Sequence, residues 1–387
     1  MQEKKHPIMF HLGVALLLLI STVSSSHGIE ANPRRHVDVG VVRGAYYPSW
    51  VSATFPPSSI RTSLFTHIYY AFLSPSNSTF ALLVDNPALL SSFVSGIRSK
   101  SPSVKTLISI GGASDGPALF AAMASTPSSR KAFIDSTIKV ARDYGFDGLD
   151  LDWEFPRNPK EMQDLALLFQ DWRAAISHEA RVTRRPPLIL TAAVYFAAEF
   201  FLSGTPRAYP IDSIRSNLDW INAMCYDYRG SWDTSATGAQ AAFFDPKSNI
   251  SSSYGLGTWL RAGLPGHKIV MGLPLYGRTW KLKDPNVNGV GAPAVGVGPG
   301  NGVLFYRQVE TFSKDNNATK KYDPVTVSAY AFSGTSWVGY DDAGSTGVKV
   351  GLAKGMRLRG YFFWALSYDN SHWQISTQAY KAWSVRI

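Results

Sequence analysis

The segment Asp147-Gly-Leu-Asp150-Leu-Asp152-Trp-Glu154 puts four carboxylates within eight positions. In a β-strand, side chains alternate with a period of two. Asp150, Asp152 and Glu154 then share one face, and Leu149, Leu151 and Trp153 take the other. Three acids in a row on an inward face are costly to bury. Their mutual repulsion requires at least one to hold a proton near neutral pH. The cluster suits chemistry that needs a carboxylic acid of raised pKa beside a charged carboxylate, as glycoside cleavage does. Two other readings stay open. A solvated edge strand also alternates acid and apolar residues, although Gly148, Leu149 and Trp153 fit it poorly. A divalent-cation site uses carboxylate oxygens, but no EF-hand-like spacing or second acidic cluster accompanies this one.

The acids lie in one of eight short apolar runs: Val41–Tyr47, Phe65–Leu73, Val104–Ile110, Gly148–Phe155, Leu188–Val194, Trp220–Tyr226, Lys268–Leu275 and Gly360–Leu366. Continuous apolar runs suit parallel strands covered on both faces. Helical patterns with start signals lie between them. Asn86-Pro87 precedes Leu89, Leu90, Phe93, Val94 and Ile97, an N-cap followed by a first-turn proline. Asn158-Pro159 repeats this, with Glu161 at the capping-box position. Met162, Leu165, Phe169, Trp172 and Ile176 then form one buried helical face. This alternation predicts a (β/α)8 TIM barrel, with a doubly wound open sheet as the alternative. Glu154, last in its strand, should emerge at the C-terminal rim, where barrel enzymes keep their chemistry.

A typical barrel needs about 250 residues, and this chain has 387. Much of the surplus lies between the seventh and eighth runs. Residues 281–344 are first rich in Gly, Pro and Asn and then alternate like strands around Val325, Val327 and Tyr330, with Trp337 and Tyr340 after a Gly334 turn. The expectation is a small α+β insertion there, with the barrel formed by residues 38–280 and 345–387. No internal repeat or low-complexity linker marks an attached module.

The composition is 45% hydrophobic and 17% charged, which excludes a disordered chain. One cysteine, Cys225, excludes an intramolecular disulfide framework and a multi-cysteine zinc site. It lies in an apolar segment and reads as a buried small hydrophobe. The net charge of +10 comes from scattered Lys and Arg, a solvated surface rather than a nucleic-acid face. Lys4 and Lys5, the apolar run Ile8–Ile20 and the small polar residues Ser21–Ser26 follow the order of a secretory leader. We expect residues 1–26 to be that leader and no membrane segment after its removal. Three sequons begin at Asn77, Asn249 and Asn317 and are candidate glycosylation sites on the same route.

The acid strand resembles the D-x-x-D-x-D-x-E signature of glycoside hydrolase family 18. Ser109-Ile110-Gly111-Gly112 resembles that family's second motif, and Met224-Cys225-Tyr226-Asp227 its M-x-Y-D motif. Trp364 matches its sugar-stacking tryptophan. The resemblance runs from about Val41 to Trp383 and is nearest to the plant class V chitinases, which also carry the insertion. It implies a secreted chitinase that cleaves N-acetylglucosamine polymers with retention, using the substrate's own acetamido group instead of an enzyme nucleophile. By the same analogy Glu154 is the general acid and later the base. Asp152 orients the acetamido group, and Asp150 tunes Asp152. Tyr226 donates to the attacking carbonyl oxygen. Asp227 and Arg278 bind substrate, Trp364 floors the site, and Tyr46, Phe72 and Met224 wall the acetamido pocket. Asp147, Ser109, Gly111 and Gly112 shape the strands. Phe155 stands where a tyrosine is common. No cofactor or metal is implied, the partner is chitin or its oligosaccharides, and the chain is expected to act as a monomer. A lectin-like relative that binds the same sugars with little turnover is the competing function.

Overall fold

The computed structural model describes residues 40–385; the leader expected at residues 1–26 lies outside them. Eight strands close into a parallel barrel in chain order: Val42–Pro48, His67–Leu73, Lys105–Gly111, Gly148–Asp152, Ile189–Tyr195, Trp220–Met224, Ile269–Pro274 and Gly360–Trp364. Each lies within, or largely within, one of the apolar runs. The first strand pairs with both the second and the eighth. The sheet therefore has no edge, which rules out the open doubly wound alternative and identifies a (β/α)8 TIM barrel.

Alternation divides the strand side chains between two shells. Val42, Tyr46, Tyr69, Leu107, Trp220, Val270 and Phe362 pack inside the barrel. Leu149, Leu151 and Trp153 belong to the outer core, with Phe93, Phe169 and Trp172 from the helices. Asp150 and Asp152, of opposite parity to Leu149 and Leu151, are consequently turned inward. The helix Pro159–Thr183 buries Met162, Leu165, Phe169, Trp172 and Ile176, and the Asn158 side chain accepts from the Glu161 N–H. Glu161 does not complete a capping box. Its Oε2 accepts from the Arg157 N–H at 2.6 Å, one residue before the cap.

The insertion is a separate antiparallel sheet of Tyr276–Leu282, Ala294–Val297, Val303–Phe305, Thr319–Asp323, Ser328–Ser333 and Ser336–Tyr340, with the helix Tyr306–Asp315. It begins at Tyr276, earlier than the expected residue 281. The seventh barrel strand stops at Pro274, and Tyr276–Leu282 pairs antiparallel with Ser336–Tyr340. The run Lys268–Leu275 ends with the barrel strand, and the insertion sheet starts at the next residue, Tyr276. The barrel also resumes sooner, with the helix Ala343–Gly355. Val325 and Val327 fall in the turn between two strands rather than within one, with Val327 at a φ of +55°. A hairpin, Glu199–Leu202 with Thr205–Ala208, interrupts the chain after the fifth strand and was not anticipated.

A buried ion pair ties the insertion to the barrel. Lys349 Nζ lies 2.6 Å from Asp341 Oδ1, both side chains are 2% exposed, and the ammonium also donates to the Ala241 carbonyl. Removing one partner of such a pair strands the other's charge. Lys349→Ala should cost about 3–5 kcal/mol in urea unfolding. Lys349→Met combined with Asp341→Leu should restore most of it, and a single variant as stable as the parent would contradict this.

Candidate active site

Asp150 is the most deeply placed acid, with no exposed surface. Its Oδ1 accepts from Thr191 Oγ1 at 2.6 Å and Asn222 Nδ2 at 3.3 Å. Its Oδ2 accepts from Ser109 Oγ at 2.8 Å and the Tyr46 hydroxyl at 2.9 Å. These donors come from the first, third, fifth and sixth strands, around the whole barrel. Asn222 also donates to the Tyr46 oxygen at 3.0 Å and accepts from Trp220 Nε1 at 3.2 Å. An ionised carboxylate is an acceptor only, so four donors fit the anion. Burial nevertheless lifts Asp150 to about 6, against the pull of those hydrogen bonds. Thr191 and Asn222 escaped the sequence reading. Their one signal was a polar side chain inside an otherwise apolar run, on the inward parity.

Asp152 lies next outward and is 4% exposed. Its Oδ1 is buried without a hydrogen-bond partner. Burial first, then the charges of Glu154 and Asp150, push it well above the usual carboxylate range. Glu154 stands past the strand end, at the rim. Burial and the nearby Asp227 lift it to about 7. Tyr226 is raised far above its ordinary value by burial and by Asp152 and Glu154, so its hydroxyl stays protonated and can donate.

The acids open into a cleft of about 820 Å³ lined by Tyr46, Phe72, Met224, Tyr226, Asp227 and Trp364 together with Asp152 and Glu154. Phe72 stacks on Trp364 with centroids 5.6 Å apart, and Trp50 on Phe72 at 6.3 Å. Trp50, Phe201 and Trp232 also line the cleft with most of their surface exposed. None of the three falls in a run that periodicity marks: Trp50 and Trp232 are lone aromatics between the barrel elements, and Phe201 lies in the short hairpin strand Glu199–Leu202. Tyr46 is both a wall residue and a donor to Asp150, a role its apolar strand concealed.

Arg278 is held by a residue of the cleft wall. It does not line the cleft. Its Nε and Nη2 donate to Asp227 Oδ1 at 2.9 and 2.6 Å, and the Tyr276 hydroxyl donates to the same oxygen at 2.8 Å. The guanidinium also lies over the Trp232 ring at 5.0 Å. It belongs to the insertion strand, and two of its N–H donors are engaged by Asp227 Oδ1.

The motif residues around the acids have steric and electrostatic reasons. Gly111 has a φ of +114°, and a Cβ there would stand 2.2 Å from the Asp152 carbonyl oxygen. A Cβ on Gly112, at a φ of +89°, would stand 2.5 Å from the Phe72 ring. Asp147 sits at the far end of the acid strand, accepting from the Thr106 N–H at 3.0 Å and Lys105 Nζ at 3.2 Å. It holds the strand entry and takes no part in the cleft. Phe155 lines the cleft with its ring edge-on to Tyr195 at 5.2 Å. Cys225 is buried, and burial pushes its thiol up to about 12, so it stays a thiol.

A closed (β/α)8 barrel with an acid at the strand end and a second carboxylate beside it has the parts that glycoside cleavage uses. The family model for glycosyl hydrolases family 18 matches residues 43–369. The chain belongs to that family, among the plant class V chitinases. It is 53% identical to Nod factor hydrolase protein 1 of Medicago truncatula, over 88% of this chain and 90% of that one. The class V chitinase of Nicotiana tobaccum, solved in complex with NAG4, superposes with a TM-score of 0.85 at 38% identity, covering 90% of this chain and 100% of that one. The family 18 chitinase of Cycas revoluta, solved with allosamidin, gives 0.85 at 43%, covering 89% and 100%.

The raised acids make stability depend on pH. A carboxyl group whose folded pKa exceeds its unfolded value contributes stability that is complete below the unfolded value and is lost as pH rises through the folded one. For Glu154 that window runs from 4.5 to about 7. Glu154→Gln should therefore raise the Tm relative to the parent at pH 8 and leave it nearly unchanged at pH 4. An equal effect at both pH values in thermal scans would contradict the assignment.

Proposed function

We propose that this protein is a secreted, endo-acting chitinase that hydrolyses β-1,4 bonds of N-acetylglucosamine polymers with retention, through an oxazolinium intermediate. The observation that carries this reading is the buried, unpartnered Asp152 Oδ1. It lies between an Asp150 whose oxygens are fully supplied with donors and a Glu154 held protonated up to about pH 7. An orphaned acceptor at the base of a cleft is costly, and an amide N–H from the substrate would satisfy it.

The chemistry follows from the three environments. The sugar is held over Trp364, an aromatic plate that suits the C–H face of a bent ring. Glu154 gives its proton to the glycosidic oxygen as the C1–O bond breaks. The acetamido carbonyl oxygen bonds to C1, steadied by the Tyr226 hydroxyl, while its N–H donates to Asp152. The positive charge that develops on the acetamido group is offset by Asp152 and, behind it, Asp150. Water then attacks C1, passes its proton to Glu154, and the oxazolinium ring opens with net retention. Met224 and Phe72 supply an apolar wall for the acetamido methyl. Trp50, Phe201 and Trp232 are further plates on the rim, in keeping with an extended chain and cleavage within it.

Secretion rests on the leader-like Ile8–Ile20 run and on the exposure of Asn77, Asn249 and Asn317. No helix among the described residues is long and apolar enough to cross a membrane. We take the active form to be a monomer.

The test is cleavage of N-acetylglucosamine oligomers by the purified protein. Wild type should release shorter oligomers, with kcat/KM falling as pH rises through about 7. Glu154→Gln should lose about 10²–10⁴-fold in kcat. Fully deacetylated oligomers, which lack the internal carbonyl, should resist cleavage. Binding without any shorter product would establish the lectin-like function instead, and rapid cleavage of deacetylated oligomers would refute substrate assistance.

A further inference from the structure

Asp227 has a φ of +60°, in the left-handed region that an L-residue enters at a cost. Its peptide N–H donates to Gln240 Oε1 at 3.4 Å. The other end of that amide, Nε2, donates to the Tyr276 carbonyl at 2.6 Å. The Gln240 carbonyl accepts from the Tyr228 N–H at 2.9 Å, and the following carbonyl, Ala241, accepts from the buried Lys349. Gln240 is 1% exposed. Reversing its amide would set donor against donor at Asp227 and acceptor against acceptor at Tyr276, so one orientation is selected.

A single buried side chain therefore joins two elements. One is the loop after the sixth barrel strand, which carries Asp227. The other is the first insertion strand, which carries Tyr276 and Arg278. Those two side chains direct three hydrogen bonds to Asp227 Oδ1. Gln240 is not itself in the cleft lining and is bonded to none of Asp150, Asp152 and Glu154; its side chain reaches the cleft wall through Asp227.

We propose that Gln240 is a positioning residue of the hydrolytic site, locking the insertion strand to the loop after the sixth strand and so fixing the Asp227 carboxylate on the cleft wall it shares with Glu154. This rests on the reading of Glu154 as the acid. The insertion then acts on the chemistry through charge. Asp227 is, after burial, what holds Glu154 up. The other titratable groups facing Glu154 are Asp152, Tyr226 and Tyr209. Those facing Asp227 are Tyr226, Tyr276 and Arg278. Of these groups only Tyr276 is also bonded to Gln240, through its main-chain carbonyl, and its hydroxyl in turn bonds Asp227, so a change at Gln240 reaches Glu154 by way of Asp227.

The experiment compares the pH dependence of kcat/KM on N-acetylglucosamine oligomers for wild type, Gln240→Leu, Asp227→Asn and the double variant. With Asp227 released from its place, the alkaline limb of Gln240→Leu should move down by about half a unit to one unit. Asp227→Asn should move it the same way. Adding Gln240→Leu to Asp227→Asn should produce no further shift, since the two act through one group. Should Gln240→Leu fail to fold, Gln240→Asn carries the test: its amide is a methylene too short to span both partners, and a smaller downward shift is expected. A limb that stays in place or moves up in the folded Gln240 variants, whatever their Tm, overturns the proposal. A ¹³C titration of the Glu154 carboxyl in the ligand-free protein reads the same shift without turnover. An inert wild type would thus refute the hydrolase reading, while an unmoved Glu154 titration would refute this one.

Discussion

A negative charge in the middle of a closed barrel is the constraint around which this molecule is organised. Water does not reach Asp150, so the protein must supply the donors that water would. No single strand can do this. Ser109, Tyr46, Thr191 and Asn222 arrive from four different strands, which need the correct register to meet at one carboxylate. A shift of one residue in any of them would turn its donor to the outer face. The order of the barrel and the charge state of the site are thus a single requirement. The charge of Asp150 then passes outward, because Asp152 and Glu154 stand in line above it and each feels the acid below or beside it.

The outward gradient explains how three neighbouring acids come to differ in the hold they have on a proton. Asp150 is bonded on both oxygens and is the most readily ionised of the inward pair. Asp152 is left with an oxygen unserved. Glu154, at the rim, has burial and Asp227 to keep its proton. Identical side-chain chemistry at three heights thus meets three different environments. The insertion contributes from the side. Its first strand brings Tyr276 and Arg278 against Asp227, so an element outside the barrel bears on the protonation of a group at the barrel's mouth.

Much of this was legible in the amino-acid sequence. The eight runs and their helices follow from periodicity, and the alternation of Asp150 and Asp152 with Leu149 and Leu151 defines which face is inward. What stayed hidden was contact between residues distant in the chain. Thr191 and Asn222 matter only because two further strands bring them to Asp150. Nothing local reveals that Arg278 also holds Asp227, 51 positions away. The insertion's start at Tyr276 is masked because Tyr276 and Trp280 follow the seventh run with no break in apolar character that composition could detect. Trp50 and Trp232 have no periodic neighbours at all and become part of the cleft only when the loops above the strands converge.

The stack of Trp50, Phe72 and Trp364 has a use apart from holding a ligand. Indole emission depends on the polarity and order of its surroundings, and Trp50 presents 59% of its surface to solvent. Any molecule laid against these rings would displace the water over them and change that polarity directly. The protein therefore carries its own optical gauge of occupancy, built into the cleft and independent of whether any bond is cut.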